Sequence, residues 1–550
     1  MHRPGRLAWA EREGGPCGAE GGAGRTGSDA PSRSSSTGRL RHGGTRRRQE
    51  EEEEAAPGGE AQQPLLRGIF RIGKESCDVV LSAERLSWTP IQPESPTGGS
   101  GIDLQCKEEH VEMKDVFSVK LKRRRLAGQQ KGGFLLGITL FVCLKKEQNK
   151  LKDSVLNLSN LSEDHCYLWF KYFKEILNGF SNRPKSLKVF VNPNSHKREA
   201  ARIYYDRVAP LFKLADIRTD LIVTEYEGHA LALLKECDLK SFNGVVCVGG
   251  DGTASEVAHG ILLRAQIDAG WDSDDILEPV KAQVPLGIIP AGSTNILAHT
   301  LNGVQHITTA ALNIILGHLQ PVDICSFSSP TKLLRFGFSA MFGFGSRTLA
   351  FAEKHRWMPS DQRKNFAVIK TLASLKPEDC ELSFLPLMYS DEFQARVQGK
   401  SCADCQDQWD RIQGHFLNVS IMAIPCLCSM APRGLAPNTR LNDGSIALIV
   451  VRNTSRPQFV KHLKRYAGIK NQFSFPFVET YTVEAVEVHL RTRKDCVSEE
   501  NVESAEETYP WNIDGDLMEW TSEILVRVHP ALICLYGGNA DTVDNLKGCL

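Results

Sequence analysis

The sequence lacks an excess of charge of either sign, a secretory leader and a membrane-spanning run. Its 550 residues hold 66 Lys and Arg and 66 Asp and Glu, so the formal net charge is zero. This balance argues against nucleic acid as a partner of the whole chain. The N-terminus has no apolar segment of the kind that a secretory signal needs. No uninterrupted apolar run reaches the roughly 20 residues of a spanning helix, so we expect any membrane contact to be peripheral.

The cysteines and histidines also lack the spacing of a structural or metal-binding framework. The 16 cysteines are scattered, which favours reduced thiols over disulfides. The short spacings Cys426-Leu427-Cys428 and Cys402 to Cys405 each lack the further ligands of a zinc site. We therefore expect free or buried thiols, with a metal site at Cys426 and Cys428 left open.

The composition changes three times along the chain and predicts four regions. Residues 1–63 are rich in Gly, Ser and Arg and end in a run of glutamates, which predicts a disordered tail. Residues 64–180 contain alternating strands followed by one helix, capped by Ser162, ended by Gly179 and containing Trp169. We expect Leu168, Phe173 and their neighbours to form the apolar face of this helix. Several strands followed by one such helix resemble a pleckstrin-homology module.

The remaining two regions predict a larger unit. Residues 185–320 alternate strand and helix, which predicts a mostly parallel sheet with helices on both faces. Residues 321–540 are rich in strands, with a helical interval from Thr348 to Leu375. The predicted fold is thus an α/β nucleotide-binding domain followed by a β-rich second domain.

Polar or glycine-rich turns follow four successive strands of the α/β region. Because the carboxyl ends of parallel strands meet at one edge of a sheet, these turns should form a single rim. Glycine lets a backbone approach phosphates closely, and a helix that starts at the turn offers free N–H groups. The sequence therefore predicts a phosphate-binding rim made of Asn192-Pro193-Asn194-Ser195, Thr224-Glu225-Tyr226-Glu227-Gly228, Gly249-Gly250-Asp251-Gly252 and Gly292-Ser293-Thr294-Asn295.

These turns, together with the runs APRGLAPNTRLNDGS and WNIDGD, resemble the diacylglycerol-kinase and sphingoid-lipid-kinase superfamily. From Leu65 to Gly538 the chain is similar to ceramide kinases. The resemblance implies ATP and Mg²⁺ as cofactors and transfer of the γ-phosphoryl group to a lipid hydroxyl. It also implies a ceramide-like lipid or phosphoinositide and a membrane surface as partners, with protein partners left open. We expect the chain in the cytoplasm and nucleus, peripherally associated with endoplasmic reticulum and Golgi membranes.

The resemblance also assigns roles to individual residues. Asp251 would be the general base, and the substrate would lie among Gly249, Gly250, Asp251 and Gly252. Mg²⁺ would be held by Asp514 and Asp516. The nucleotide would contact Asn192, Pro193, Asn194, Thr224, Glu225, Tyr226, Glu227, Gly228, Glu256, Gly292, Ser293, Asn295, Arg356, Arg363, Asp514, Gly515 and Asp516.

Three positions depart from the family pattern. His196 stands where a glycine is usual, and Asp516 stands where a glutamate is usual and is one methylene shorter. The segment from Gly345 to Phe351 holds Arg347 but no acid, whereas sphingoid and ceramide kinases carry an aspartate there. Misplacement by about 1 Å can reduce a rate on the order of 10²-fold.

We therefore expect an ATP- and lipid-binding fold with weak or absent ceramide phosphorylation and a regulatory role in sphingolipid or stress signalling. The alternative is an active Mg·ATP-dependent kinase acting on ceramide or a related lipid. NAD kinases and phosphofructokinases also use such glycine turns, but the pleckstrin-like module argues against them.

A basic cluster lies at the end of one strand of the pleckstrin-like region. Three interpretations stay open: a solvated loop, a nuclear-import signal, and a patch for anionic lipid. The cluster comprises Lys120, Lys122, Arg123, Arg124 and Arg125.

Overall fold

The computed structural model describes residues 63–91, 108–124, 128, 132–195, 198–271, 278–330, 332–387, 409–468, 470–490, 509–520 and 523–538. The predicted tail, apart from its last residue, lies outside these ranges, as do Arg125, His196, Cys402 and Cys405. Within these ranges, no helix combines the length and apolar character needed to cross a bilayer.

The pleckstrin-like region is an antiparallel sheet packed against one helix. Its described elements are β1 (Leu66–Ile72), β2 (Glu75–Leu81), β3 (Arg85–Pro90), β4 (Glu109–Glu112), β5 (Val116–Arg124), β6 (Phe134–Lys145), β7 (Leu151–Ser159) and α1 (Glu163–Asn178). The strand order is β4-β3-β2-β1-β7-β6-β5. Trp169 is fully buried and packs edge-on against Phe70 at 4.9 Å between ring centroids, so the helix closes the core of this module.

The predicted ends of α1 are confirmed, but its predicted apolar face is only partly right. The Ser162 hydroxyl accepts a hydrogen bond from the His165 amide at 3.2 Å, as an N-cap should. Leu168 is 46% exposed, whereas Cys166, Trp169 and Phe173 are fully buried. The buried residues follow the three- and four-residue spacing of one helix face, and Leu168 lies beside that face rather than on it.

The α/β region contains four parallel strands in the order β9-β8-β10-β11. Its described elements are β8 (Ser186–Val191), α2 (Ala200–Ile203), a π-helical segment (Tyr204–Val208), α3 (Ala209–Leu214), β9 (Arg218–Val223), α4 (His229–Glu236), β10 (Gly244–Gly249), α5 (Asp251–Asp268), β11 (Leu286–Pro290), α6 (Ile296–Asn302) and α7 (Ile307–Leu316). Every residue of β10 and β11 is buried, as expected of parallel strands covered on both faces. The predicted parallel sheet is confirmed.

The second half is rich in antiparallel strands, as predicted. Its described elements are β12 (Leu319–Ser328), β13 (Leu333–Gly337), β14 (Ser339–Gly343), α8 (Phe344–Lys354), α9 (Ser360–Ala373), β15 (Glu378–Pro386), β16 (Asp410–Met422), β17 (Ile446–Arg452), α10 (Arg456–Arg465), β18 (Val478–Leu490), β19 (Tyr509–Ile513), β20 (Asp516–Trp520) and β21 (Glu523–Tyr536).

The last strand joins the two halves into one sheet. β21 pairs antiparallel with β12 and β18, and it meets β11 in parallel where Leu535 lies opposite Leu286. The turn between β19 and β20 carries Asp514 and Gly515, and β19 pairs with β14. Through these pairings, residues near the end of the chain come next to the glycine turn after β10.

Candidate active site

The turns after β8 and β10 are tied to each other by a side-chain hydrogen bond. The Asn192 amide nitrogen donates to the Thr253 hydroxyl at 2.9 Å. The Asn192 amide oxygen accepts from the backbone N–H of Asn194 at 3.0 Å, which closes the turn that contains Pro193. These bonds hold the first and third predicted turns at one edge of the sheet.

The turns after β10 and β11 pack backbone against backbone. A Cβ atom on Gly292 would lie 2.4 Å from the Cα atom of Gly250, closer than any real contact. Asn295 closes the second of these turns in the left-handed conformation, with φ of 53°. Its side chain accepts from the Gly292 N–H at 2.8 Å and donates to the Gly292 carbonyl at 2.9 Å. A Cβ atom on Gly250 would lie 3.2 Å from the Cα atom of Gly292, which is a tight contact, so the rim here consists of closely packed backbone.

Asp251 is the first residue of α5, and its carboxylate also caps the next helix. Oδ1 accepts from the Leu297 N–H at 3.1 Å, at the start of α6. Burial raises the pKa of Asp251, the charge of Asp514 raises it further, and the amides of residues 295–297 oppose the shift. A raised pKa suits a carboxylate that must take a proton near neutral pH.

Asp514 lies at the centre of the site and is saturated with hydrogen bonds. Oδ2 accepts from the Ser255 hydroxyl at 2.8 Å and from the Phe338 N–H at 2.8 Å. Oδ1 accepts from the N–H and hydroxyl of Ser339 at 2.8 and 3.0 Å. Burial raises the pKa of Asp514 despite these donors. The Asp514 carboxylate therefore links α5, β14 and the β19–β20 turn. The role of Asp514 as a metal ligand stays a prediction.

Asp516 lies against the glycine turn and is held by an arginine that sequence reasoning missed. Arg335 donates to Asp516 Oδ2 at 2.8 Å and to the Ser255 hydroxyl at 3.0 Å. The other oxygen of Asp516, Oδ1, would lie 2.5 Å from a Cβ atom on Gly252. The sequence held one signal for this residue: Arg335 is a lone arginine in the otherwise apolar strand β13. The structure shows that it is buried there.

The carboxylate of Glu256 faces the second turn rather than open solvent. Oε1 accepts from the Leu231 N–H at 3.1 Å, in the first turn of α4, and burial raises the pKa of Glu256. Gly228 precedes α4 with φ of 85°. Tyr226 is exposed and stacks on His229 at 4.6 Å, and the Glu225 N–H donates to the His229 ring at 3.1 Å.

The two predicted cations, Arg356 after α8 and Arg363 on α9, have different surroundings. Arg356 pairs with Glu353, one turn earlier in the chain. The Nε atom of Arg363 is buried and has no hydrogen-bond partner among the described residues. Its neighbour Lys364, which was not predicted, donates to the Ser293 carbonyl at 3.2 Å and the Thr294 hydroxyl at 3.0 Å. Lys364 thus fastens α9 to the fourth turn.

Arg347 does not present a free positive charge. Its guanidinium pairs with Glu378 at 2.7 Å and also donates to the Lys376 carbonyl. The positive charge that stands in the segment where related kinases carry an aspartate is therefore paired within the protein, between α8 and β15.

The cysteines and the basic cluster take structural positions. Cys426 and Cys428 are free and buried, and burial raises the pKa of Cys426. Lys120, Lys122, Arg123 and Arg124 belong to β5 rather than to a loop. Lys120 pairs with Asp216, Lys122 donates to Asn157 at 3.2 Å, and Arg123 donates to the Gly133 carbonyl and to Tyr167.

Comparison with known proteins finds matching domain families for three parts of the chain. Three domain families match in chain order: the ceramide kinase PH domain over residues 66–173, the diacylglycerol kinase catalytic domain over residues 186–327, and the ceramide kinase C-terminal domain over residues 338–549. The chain is 63% identical over 511 residues to the human ceramide kinase-like protein, covering 88% of this chain and 92% of that one. The chain belongs to the ceramide kinase-like family of lipid kinases.

Other similarities are more distant. Human ceramide kinase is 33% identical over 419 residues, which cover 68% of this chain and 77% of that enzyme. A crystal structure of a diacylglycerol kinase from Bacillus anthracis str. Sterne is 16% identical, with a TM-score of 0.41 and coverage of 65% of this chain and 98% of that one. In the ceramide kinase-like family the diacylglycerol kinase catalytic domain implies the use of ATP.

Proposed function

We propose that this protein binds ATP and a ceramide-like lipid, phosphorylates ceramide weakly or not at all, and regulates sphingolipid or stress signalling. The observation that carries the proposal is a difference within one site. The backbone rim that would hold phosphates is complete at Gly250 and Gly292, whereas the carboxylates beside it are already engaged by protein donors.

The rim supports nucleotide binding. The turn after β10 leads into the 18 residues of α5, and a helix N-terminus combines free N–H groups with a favourable dipole for phosphate. The close approach of Gly250 and Gly292 leaves no side chain between the turns. Lys364 adds a cation beside Ser293 and Thr294.

The hydrogen bonds of the carboxylates are the reason to expect weak catalysis. Asp251 Oδ1 already accepts a hydrogen bond from the Leu297 N–H of α6, and Asp514 already accepts from four donors. Hard oxygen ligands suit Mg²⁺, so the donor chemistry fits this ion, but a direct protein ligand would have to come chiefly from Asp516. When bound, Mg²⁺ would neutralise charge on the ATP phosphates. Asp516 is one methylene shorter than the usual glutamate, and one of its oxygens is committed to Arg335.

The alternative is an active Mg·ATP-dependent lipid kinase. Asp251 favours it, because burial raises the pKa of this carboxyl in the direction that a general base needs. We also propose a cytoplasmic and nuclear location with peripheral association to internal membranes, for which β5 supplies exposed cations. If β5 acts as an import signal, replacing Arg123 and Arg124 by glutamine should reduce the nuclear fraction of the tagged protein.

Calorimetry with Mg·ATP tests the nucleotide part of the proposal. The parent should bind, and Gly250→Asp should not, because a carboxylate there would face both Gly292 and the phosphates. Gly538→Asp is the matched control, since a Cβ atom there meets no atom of the described residues closer than 3.8 Å. Absence of binding in the parent would refute the nucleotide-binding proposal.

A phosphorylation assay then separates the two functions. Ceramide vesicles and labelled ATP should give little product with the parent. Asp516→Glu should increase the product if the missing methylene limits catalysis. Efficient phosphorylation of ceramide by the parent would refute the proposal of weak catalysis and support the active lipid kinase.

A further inference from the structure

A cleft of about 340 Å³ lies between the pleckstrin-like module and the α/β region. Its walls come from β5, the C-terminal end of α1, the connection after α1 and the start of β9. β8 and β9 run parallel and begin together, with Ser186 opposite Arg218. The cleft therefore lies at the amino ends of these strands, and the length of β8, about 17 Å, separates it from the rim at their carboxyl ends.

The two walls are fastened to each other by polar contacts. Arg183 donates to the carbonyls of Val116 and Lys114 at 2.7 and 2.6 Å. Asp216 pairs with Lys174 at 2.7 Å and with Lys120. The cleft is consequently a feature of the docked domains and not a gap between unconnected surfaces.

The cleft is lined by more cations than anions. Lys174, Arg183, Lys185 and Arg218 line it, and among the described residues the single carboxylate in its lining is Asp216. Asp216 is already shared between two lysines. Lys185 and Arg218 are exposed, and neither forms an ion pair within the part of the chain that the structure describes. The lining therefore carries a surplus of positive charge.

The Arg183 guanidinium is the cation of the lining whose hydrogen-bonding capacity is partly unused. Its guanidinium lies over the Phe180 ring at 4.1 Å and donates to carbonyl oxygens only, while its Nε is buried without a partner in the described residues. Burial lowers the pKa of Arg183 to about 10, although Asp115 opposes the shift. A guanidinium held in this way is stabilised most by a negatively charged acceptor.

We propose that this cleft binds a phosphate group, carried either by a soluble molecule or by a lipid headgroup. Cations from the α1 connection and from β9 would contact it together, so binding would also strengthen the docking of the module on the α/β region. The site is separate from the glycine rim, and the proposal does not depend on whether the chain phosphorylates a lipid.

The test uses the full chain carrying Gly250→Asp, so that phosphate at the glycine rim does not contribute. Calorimetry with inorganic pyrophosphate measures the soluble source. Sedimentation with phosphatidylcholine vesicles, with and without phosphatidic acid, measures the lipid source. Binding in the first arm identifies a soluble ligand, and binding that requires phosphatidic acid identifies a lipid headgroup.

Paired charge reversals decide whether the cleft is responsible. Lys185→Glu with Arg218→Glu should weaken binding at least about tenfold, because two charge-assisted contacts are lost. The matched control is Lys461→Glu with Lys464→Glu, two exposed positions on α10, which should change binding by less than about twofold. If the cleft reversal does not fold, Lys185→Gln with Arg218→Gln replaces it. No saturable binding in either arm, or equal binding by the cleft variant, would overturn the proposal.

Discussion

The glycine rim and the carboxylate centre adjoin each other, but they are built in different ways. At Gly250 and Gly292 the rim consists of backbone, and its shape depends on the absence of side chains. The carboxylate centre consists of side chains from distant parts of the chain, where Asp514 and Asp516 meet Ser255 and Arg335. The contact between these two turns thus depends mainly on two glycines, whereas the carboxylate centre depends on side chains that several distant elements contribute.

The largest effect should come from breaking the carboxylate centre at Arg335. Arg335→Met leaves the Asp516 carboxylate without its cation and should lower the free energy of unfolding by about 3 kcal/mol, the low end for a buried ion pair, because the Asp516 side chain keeps 31% of its surface exposed. Urea unfolding at neutral pH measures it. Arg335→Lys should recover part of the loss, and Arg67→Met, at the exposed Arg67–Asp78 pair, should change stability by less than about 1 kcal/mol. Equal effects at the two sites would contradict the buried-pair account.

The rim should be broken by a single methyl group. Gly292→Ala places a Cβ atom 2.4 Å from the Gly250 Cα atom, which should force the turns apart at a cost of about 3 kcal/mol. Mg·ATP binding by calorimetry should fall with stability. Gly538→Ala, whose Cβ atom meets nothing closer than 3.8 Å in the part of the chain that the structure describes, should preserve both. Unchanged ATP affinity in Gly292→Ala would separate nucleotide binding from this contact.

A buried histidine beneath the carboxylate centre should make the fold sensitive to acid. His259 Nδ1 accepts from the Phe336 N–H at 3.2 Å, and burial lowers the pKa of His259 to about 3. In the unfolded chain His259 binds a proton as the pH falls below about 6.5, whereas in the folded chain it stays neutral until about pH 3. The free energy of unfolding therefore decreases as the pH falls through this range. His259→Gln should remove about 2 kcal/mol of this loss between pH 6.5 and 4.5. Parallel stability profiles of parent and variant across this range would exclude the effect.

The smallest effect should come from Lys364, which joins the rim to α9. Lys364→Met removes its bonds to Ser293 and Thr294 and should lower stability by about 1 kcal/mol or less. Calorimetry should show a few-fold weaker binding of Mg·ATP. Lys370→Met on the same helix is the control, because Lys370 is exposed. A larger loss with the control would assign the effect to the helix rather than to the contact.

The turns of the rim could be predicted because each one follows its strand directly in sequence, and the parallel sheet then gathers them. The cap of α1 at Ser162 was also a local signal. The Arg335–Asp516 and Ser255–Asp514 contacts join residues separated by 181 and 259 positions, and no local pattern announces them. The same reason explains Arg347, whose partner Glu378 lies on another element.

The position of β21 has a consequence for how the protein is made. Residues 523–536 form the strand that stands between β11 and the antiparallel strands β12 and β18. A ribosome produces the chain from its N-terminus, so this edge of β11, which pairs only with β21 among the described strands, has no neighbour until almost the whole protein has been translated. An unpaired buried-type strand is prone to wrong association. A premature stop codon even a short distance before residue 523 should therefore remove the strand that joins the two halves of the central sheet and leave an aggregating product rather than a shortened folded protein.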